Sequence, residues 1–309
     1  MPELRRDALS GQEVIVAAGR AARPTTFGAS PGDASTASDR CPFCPGNESM
    51  TPPELARTGV GEPGSPGWQV RVFPNLYPIV GGPDAGPGTT GEHEVMVLSP
   101  DHTRSFGQLD DGGAAQVVSV WRDRARAHLD AGRAYAFAIV NHLPGGGASI
   151  AHPHAQGFAL DVVPPAVEAA LARVRAAGQD LVVDDAGDDA LAIARTPVWV
   201  WCPPASPSPY FVRIAHPEAG ARFDEAGDEI VTAIAIAIRD TLARLAIVLG
   251  DPPYNLVLRT APPGRAPFHW YLDVIPRVTV VAGFEQATGI LVNTVPPERA
   301  ACQLREAMA

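Results

Sequence analysis

The chain reads as an α+β protein of two tandem units, each an antiparallel sheet with a covering helix. Three observations predict this. Short Val-rich runs bounded by turn residues alternate with two long stretches of helical periodicity; a strand, a Gly/Pro turn and a further strand follow each of those stretches; and the second half repeats the order of the first at lower fidelity. Asn141 ends a strand much as Arg259 does, and the segment around His152-Pro153-His154 corresponds to that around His269-Trp270-Tyr271. The two units are placed at residues 1–160 and 161–309.

In chain order, residues 22–67 are crowded with Gly, Pro, Ser and Thr and predict mostly loop, tied down by Cys41-x-x-Cys44. Residues 68–73 and 93–98 predict strands. Residues 114–129 carry Val117, Val118, Trp121 and Ala125 on one side with Arg122, Asp123, Arg124 and Arg126 interleaved, which predicts a helix. Strands at 134–141 and 150–160 flank the turn Pro144-Gly145-Gly146-Gly147. In the second half, strands are predicted at 189–194, 198–202 and 210–214, a helix at 224–249, and strands at 254–259 and 268–275. Trp199, Trp201 and Tyr210 read as core or dimer packing, and Asp184-Asp185 with Asp188-Asp189 as a solvated acidic turn.

The 309 residues include 24 basic and 34 acidic side chains, a net charge of -10 and 46% hydrophobic content, which suits a core-forming globular protein. Every basic residue is arginine, and lysine is absent. A P-loop lysine, a pyridoxal Schiff base and the strand lysine of protein kinases are therefore excluded. The acidic balance and lack of a basic tract argue against nucleic-acid binding. Ile230 to Leu249 is apolar but broken by Arg239, Asp240 and Arg244, so it predicts a buried helix and no membrane span. No signal-peptide core follows Met1 to Arg6, and the expected setting is cytoplasmic.

Alternate residues of a strand share a face, so a strand over 150–160 would align His152, His154 and Gln156 beside the glycine turn. That turn, with Ser149, can bring backbone N–H groups against a phosphate oxygen. Cys41-x-x-Cys44 supplies half of a tetrahedral zinc site, with two further ligands to come from the eight histidines. A redox C-x-x-C wants a helix start in a thioredoxin-like unit, which Cys44-Pro45-Gly46-Asn47 does not offer, so zinc is favoured.

Cys41-Pro42-Phe43-Cys44, Ser99-Pro100-Asp101-His102, Asn141, Ser149, His152-Pro153-His154-Ala155-Gln156 and Gly283-Phe284-Glu285 stand in this order. In that order and context the chain resembles the galactose-1-phosphate uridylyltransferases of the histidine-triad superfamily, from Gly11-Gln12 to Pro296-Pro297-Glu298. The resemblance implies two histidine-triad-like units and one structural zinc bound by Cys41, Cys44, His102 and His152. It implies that His154 is the nucleophile, that Gln156 and Ser149 hold phosphoryl oxygens, and that Asn75 and Asn141 sit by the nucleotide. Arg20 and Arg23 match a pair of arginines that reaches nucleotide or phosphate, and Phe284 and Glu285 fall at the acceptor pocket. A homodimer sharing active-site residues is implied as well.

Members with a second metal use a glutamate and three histidines in the second half. Here Arg259 and Tyr271 stand at two of those positions, leaving His269, so no second metal is expected. The lysine that contacts the hexose in well-known members has no counterpart. The expected function is transfer of a nucleoside monophosphate from a nucleotide sugar to a sugar 1-phosphate through a nucleotidyl-histidine, of UDP-hexose type and set in galactose metabolism. The alternatives are a phosphorylase using inorganic phosphate and a zinc-stabilised nucleotide-binding protein without turnover.

Overall fold

The computed structural model describes residues 2–19, 40–82, 85, 86 and 88–307. Strands β1 (Glu3–Arg6), β2 (Glu13–Val16) and β13 (Leu291–Asn293) form a small sheet, joining the start of the described chain to its end. The other ten strands form one sheet. In chain order they are β3 (Ala56–Gly59), β4 (Trp68–Pro74), β5 (Gly91–Val97), β6 (Tyr135–His142), β7 (His154–Leu160), β8 (Ala192–Ala194), β9 (Trp199–Trp201), β10 (Val212–Ala215), β11 (Tyr254–Arg259) and β12 (Tyr271–Pro276). Their spatial order is β3-β4-β5-β7-β6-β11-β12-β10-β9-β8.

The second half of that order retraces the first from the centre outward. The two units are thus halves of one continuous antiparallel sheet, joined where β6 pairs β11 with Asn141 opposite Asn255. The ladders match when Met96, Ala155 and Val140, paired in β5, β7 and β6, are laid on Ile214, Leu272 and Leu258 of β10, β12 and β11. Tyr271 then stands where His154 does, Asp273 where Gln156 does, and Arg259 where Asn141 does. Matching strands accounts for the repeat seen in the sequence.

Helices α1 (Asp111–Asp130) and α4 (Asp228–Leu249) cover the same face of the sheet, one per half. Asp110 caps α1, its Oδ1 accepting from Gly113 N–H at 2.7 Å. Val117, Val118 and Trp121 of α1 and Ile234, Ile238 and Leu242 of α4 pack onto Met96, Val140, Ala155, Ile214 and Leu272. Burying each large apolar side chain contributes about 1.5–3 kcal/mol, so this shared core binds the two halves into one body. Two polar ties cross it. Arg122 of α1 donates to Asp228 at the start of α4 at 2.6 Å, and Arg124 and His128 of α1 both donate to Glu94 of β5. The shorter helices α2 (Pro165–Ala177), α3 (Leu181–Ala186), α5 (Gly283–Thr288) and α6 (Pro297–Glu306) complete the described chain. None of its helices is long and apolar enough to cross a membrane.

Three expectations are corrected. Strand β7 starts at His154, not Ile150, because Pro153 lacks an N–H and His152 sits in the bend before it. Residues 56–59, expected as loop, are strand β3. Asp185, expected in solvent, is buried in α3 and accepts from Trp201 Nε1 at 3.0 Å and from Arg213 at 2.9 Å. A charge run reads as surface unless a buried cation is known to face it, and Arg213 lies 28 residues further along the chain.

Candidate active site

The face of the sheet opposite α1 and α4 carries the chemistry. Alternation on β7 sends Ala155 into the helix-covered core and turns His154 and Gln156 to the other side. One step beyond the Val140–Ala155 pair, Asn141 of β6 stands opposite His154 on that same face.

The metal cluster forms first. Cys41, Cys44, His102 and His152 place one ligand atom each so that all four lie within 4.8 Å of one another. Cys44 Sγ is 3.2 Å from His102 Nδ1 and 3.5 Å from His152 Nδ1, and Cys41 Sγ is 3.8 Å from His152 Nδ1. A tetrahedron with bonds of about 2.0–2.3 Å has edges of roughly 3.3–3.8 Å, so these residues fit a single four-coordinate ion. His152 Nε2–H donates to the Ser99 carbonyl at 2.9 Å, which leaves its Nδ1 lone pair facing the sulfurs. Asp101 accepts from Thr103 N–H at 2.9 Å, a local turn that carries His102 to its place. Ser99-Pro100-Asp101-His102 therefore supplies one ligand and orients another. Burial, with Cys41 alongside, pushes the Cys44 thiol up to about 12. Burial pushes the His152 imidazole down to about 4, so it is neutral and ready to ligate. Its raised value keeps Cys44 a neutral thiol until a cation binds, and a bound cation would hold it as the thiolate.

Phe43, inside the C-x-x-C, links the cluster to His154. Its ring lies edge-on to both imidazoles, at 6.3 Å from His152 and 5.2 Å from His154. The loop around it is anchored by Glu48 accepting from Trp68 Nε1 at 2.9 Å and Glu54 accepting from Arg71 Nε at 2.6 Å.

His154 Nδ1–H donates to the His152 carbonyl at 2.9 Å, so Nε2 carries the lone pair. Burial holds its pKa below the ordinary histidine value, with that carbonyl offsetting only part of the effect. This is a neutral, oriented imidazole with one nitrogen available to a phosphorus. Two residues on, Gln156 Oε1 lies 2.8 Å from His93 Nε2, and Asn75 Nδ2 lies 3.1 Å from the same nitrogen. Asn141 Oδ1 accepts from Asn255 Nδ2 at 2.8 Å, and Asn255 also donates to the Gly146 carbonyl at 2.7 Å.

The glycine turn packs hard against β11. A Cβ on Gly146 would lie 2.6 Å from the Tyr254 carbonyl oxygen, and Gly147 has φ +90. Contrary to expectation, the Gly146 and Gly147 N–H groups are spent inside the turn, on Leu143 and Pro144 carbonyls. Ser149 is exposed on the loop that follows. Phe284 is exposed on α5, and Glu285 accepts from Ala282 N–H at 3.0 Å at the start of that helix. Among the described residues, neither has a hydrogen bond or ring contact with the His154 group. Arg20 and Arg23 fall outside the described residues. His93 and Asn255 are the site residues that sequence reasoning missed. The repeat gave no sign of Asn255, since it equates the strand of Asn255 with that of Asn141 without saying that the two pair.

The matching face of the second half carries charge pairs in place of chemistry. Arg213 is buried and donates to Asp7 at 3.2 Å, Asp185 at 2.9 Å and Asp273 at 3.0 Å, while Arg259 donates to Asp273 at 3.1 Å. His269 is engaged at both nitrogens, with Asp180 and with the His216 carbonyl, each at 2.9 Å.

A two-fold repeated sheet with a cysteine–histidine cluster beside an oriented histidine defines the class, and the chain belongs to the galactose-1-phosphate uridylyltransferase family of the histidine-triad superfamily. The family model for the galactose-1-phosphate uridyl transferase N-terminal domain matches residues 86–164. The chain is 30% identical to ADP-glucose phosphorylase of Arabidopsis thaliana over 334 residues, 99% of this chain and 93% of that one. It is 29% identical to a galactose-1-phosphate uridylyltransferase of Streptomyces lividans over 168 residues, 53% of this chain and 39% of that one. The crystal structure of an Arabidopsis thaliana ADP-glucose phosphorylase with bound ADP-glucose superposes with a TM-score of 0.87 at 29% identity, covering 99% of this chain and 98% of that one. The protein is thus an enzyme of this family, a transferase or a phosphorylase.

Proposed function

We propose that the protein transfers a nucleoside monophosphate from a nucleoside diphosphate sugar through a covalent intermediate on His154. The observation that carries this is the His154 tautomer: with Nδ1–H held by the His152 carbonyl, the Nε2 lone pair is fixed on the open face of the sheet. Nε2 attacks the α-phosphorus. The bond from that phosphorus to the bridging oxygen breaks, and its electron pair leaves with the sugar 1-phosphate. An acceptor oxygen then attacks the same phosphorus, and the P–N electron pair returns to Nε2.

Gln156 and Ser149 are assigned to the phosphoryl oxygens, and Asn75 and Asn141 to the nucleotide. Arg20 and Arg23 are assigned to the phosphates and Phe284 with Glu285 to the acceptor, all four on the family resemblance. Two thiolates and two imidazoles are a zinc donor set, and zinc at Cys41, Cys44, His102 and His152 would supply structure, holding His152 and its carbonyl under His154. A homodimer completes the reading, tested by light scattering, where a fully active monomer would contradict it.

Of the two acceptors, likeness along the whole chain to an ADP-glucose phosphorylase favours inorganic phosphate. The family model and the Streptomyces lividans relative favour sugar 1-phosphate as the second reading. The test is incubation with ADP-glucose and UDP-glucose labelled at the α-phosphate. Label on protein that is acid-labile and base-stable is expected, discharged by phosphate for a phosphorylase and by a hexose 1-phosphate for a transferase. His154→Ala should take no label. Labelling of that variant would move the nucleophile elsewhere.

A further inference from the structure

His93 of β5 is buried, and its ring stacks on Phe158 with centroids 4.2 Å apart. Both of its nitrogens have defined neighbours. The Ile79 backbone N–H donates to Nδ1 at 3.1 Å, so Nδ1 is an acceptor and carries no proton. A neutral imidazole has one N–H, which is then on Nε2. Two groups face Nε2. The Asn75 carboxamide has its Oδ1 occupied by Tyr77 N–H at 2.8 Å, so the atom it turns to His93, 3.1 Å away, is the donor Nδ2 and offers the Nε2 proton nothing. Gln156 Oε1, at 2.8 Å, is the acceptor. Burial lowers the His93 pKa below the ordinary value, which keeps the ring in this single-proton form. With Oε1 engaged, the Gln156 amide cannot flip, and its NH2 group has no hydrogen-bond partner among the described residues.

We propose that His93 is a positioning residue for nucleotidyl transfer: a relay from Ile79 N–H through the His93 Nε2–H tautomer to Gln156 Oε1 presents the Gln156 NH2 as a donor to the transferring phosphoryl group. The proposal rests on the assignment of Gln156 to a phosphoryl oxygen. A carboxamide without this relay offers either end, and the oxygen end repels a phosphate. The 75–79 loop also reports to the phosphoryl site through one imidazole, so its seating and the donor's readiness are linked.

Two measurements on the zinc-loaded full chain test this. Long-range 1H–15N correlation spectra of histidine-labelled protein should show His93 protonated at Nε2 and not at Nδ1 at neutral pH. An Nδ1–H tautomer or an imidazolium would overturn the proposal whatever the protein's activity. The rate of label transfer from α-labelled ADP-glucose or UDP-glucose is the second. His93→Met, which keeps bulk but cannot donate, should slow labelling about ten- to a hundredfold, the same loss expected of Gln156→Ala. His93→Gln, whose Nε2 can take the place of the imidazole Nε2, should recover much of that loss. Adding His93→Met to Gln156→Ala should slow labelling no further, because the two act in series. Additive losses, or a parental rate in His93→Met beside a slow Gln156→Ala, would overturn the role. An unlabelled parent would instead sink the transfer reading, and the spectrum alone would then judge the His93–Gln156 contact.

Discussion

His154 is governed by two neighbours with opposite effects. Burial disfavours its charged form and the His152 carbonyl favours it, and burial prevails, leaving the pKa below the ordinary value. The neutral imidazole therefore persists to lower pH than a solvated histidine would allow. The labelling rate should stay flat from neutral pH down through about 6.5, the unperturbed histidine value, and fall only below it. A pH profile of single-turnover labelling reads this directly, and an inflection above about 6.5 would show that burial is not the controlling influence. At this scale the sequence singled out His152-Pro153-His154 as residues but misread their geometry, putting both histidines on one strand face. It was silent on His93 and Asn255, whose roles come from side chains on other strands.

The metal loop and the glycine turn are elements with little internal periodicity that the sheet holds in place. Glu48 and Glu54 tie the loop to β4, and its own four-ligand cluster closes it. Replacing both thiols, Cys41→Ser with Cys44→Ser, should reduce bound zinc from about one per chain to near none and lower the melting temperature with it, because binding energy in a closed site is folding energy. Metal analysis by atomic absorption checks this, and full zinc in the double variant would refute the ligand set. Pro153 explains the element boundary that sequence reasoning misplaced. Ending the bend at His152 lets its imidazole face the cysteine sulfurs while His154, two residues on, faces away from the helices, a division that a continuous strand would not produce.

In the whole molecule, one sheet serves two halves that have diverged on the face away from the helices. Around His154 the first half keeps neutral, hydrogen-bonding side chains there, with the buried Arg71–Glu54 pair further out on β4. The second has Arg213 among Asp7, Asp185 and Asp273, and Asp7 comes from the segment between β1 and β2, so this pair also ties the small sheet to the large one. Arg213→Met should destabilise the fold by about 3–5 kcal/mol, because it strands the buried carboxylates of Asp7 and Asp185 without their cation and leaves Asp273 only Arg259. Chemical denaturation would measure it. A loss below about 1 kcal/mol would mean the carboxylates are solvated and the network is peripheral. Arg259→Met, whose partner Asp273 keeps Arg213, should cost much less.

The sequence by itself determined the repeat, the long helices, the central strands and the Cys41-x-x-Cys44 half of the metal cluster, because periodicity and short motifs act over distances that the chain spans locally; His102 and His152 came only from the family resemblance. The bounds of the strand Tyr254–Arg259 and the end of the helix at Leu249 were legible to the residue. Only the tertiary structure decided that the two sheets are one, that Asp185 is buried and not solvated, that the glycine turn spends its own N–H groups, and which way Gln156 faces. Each of those depends on a partner far along the chain, Asn141 with Asn255, Asp185 with Arg213, Gln156 with His93, and the identity of such a partner is set by how strands pair, not by what stands next in the sequence.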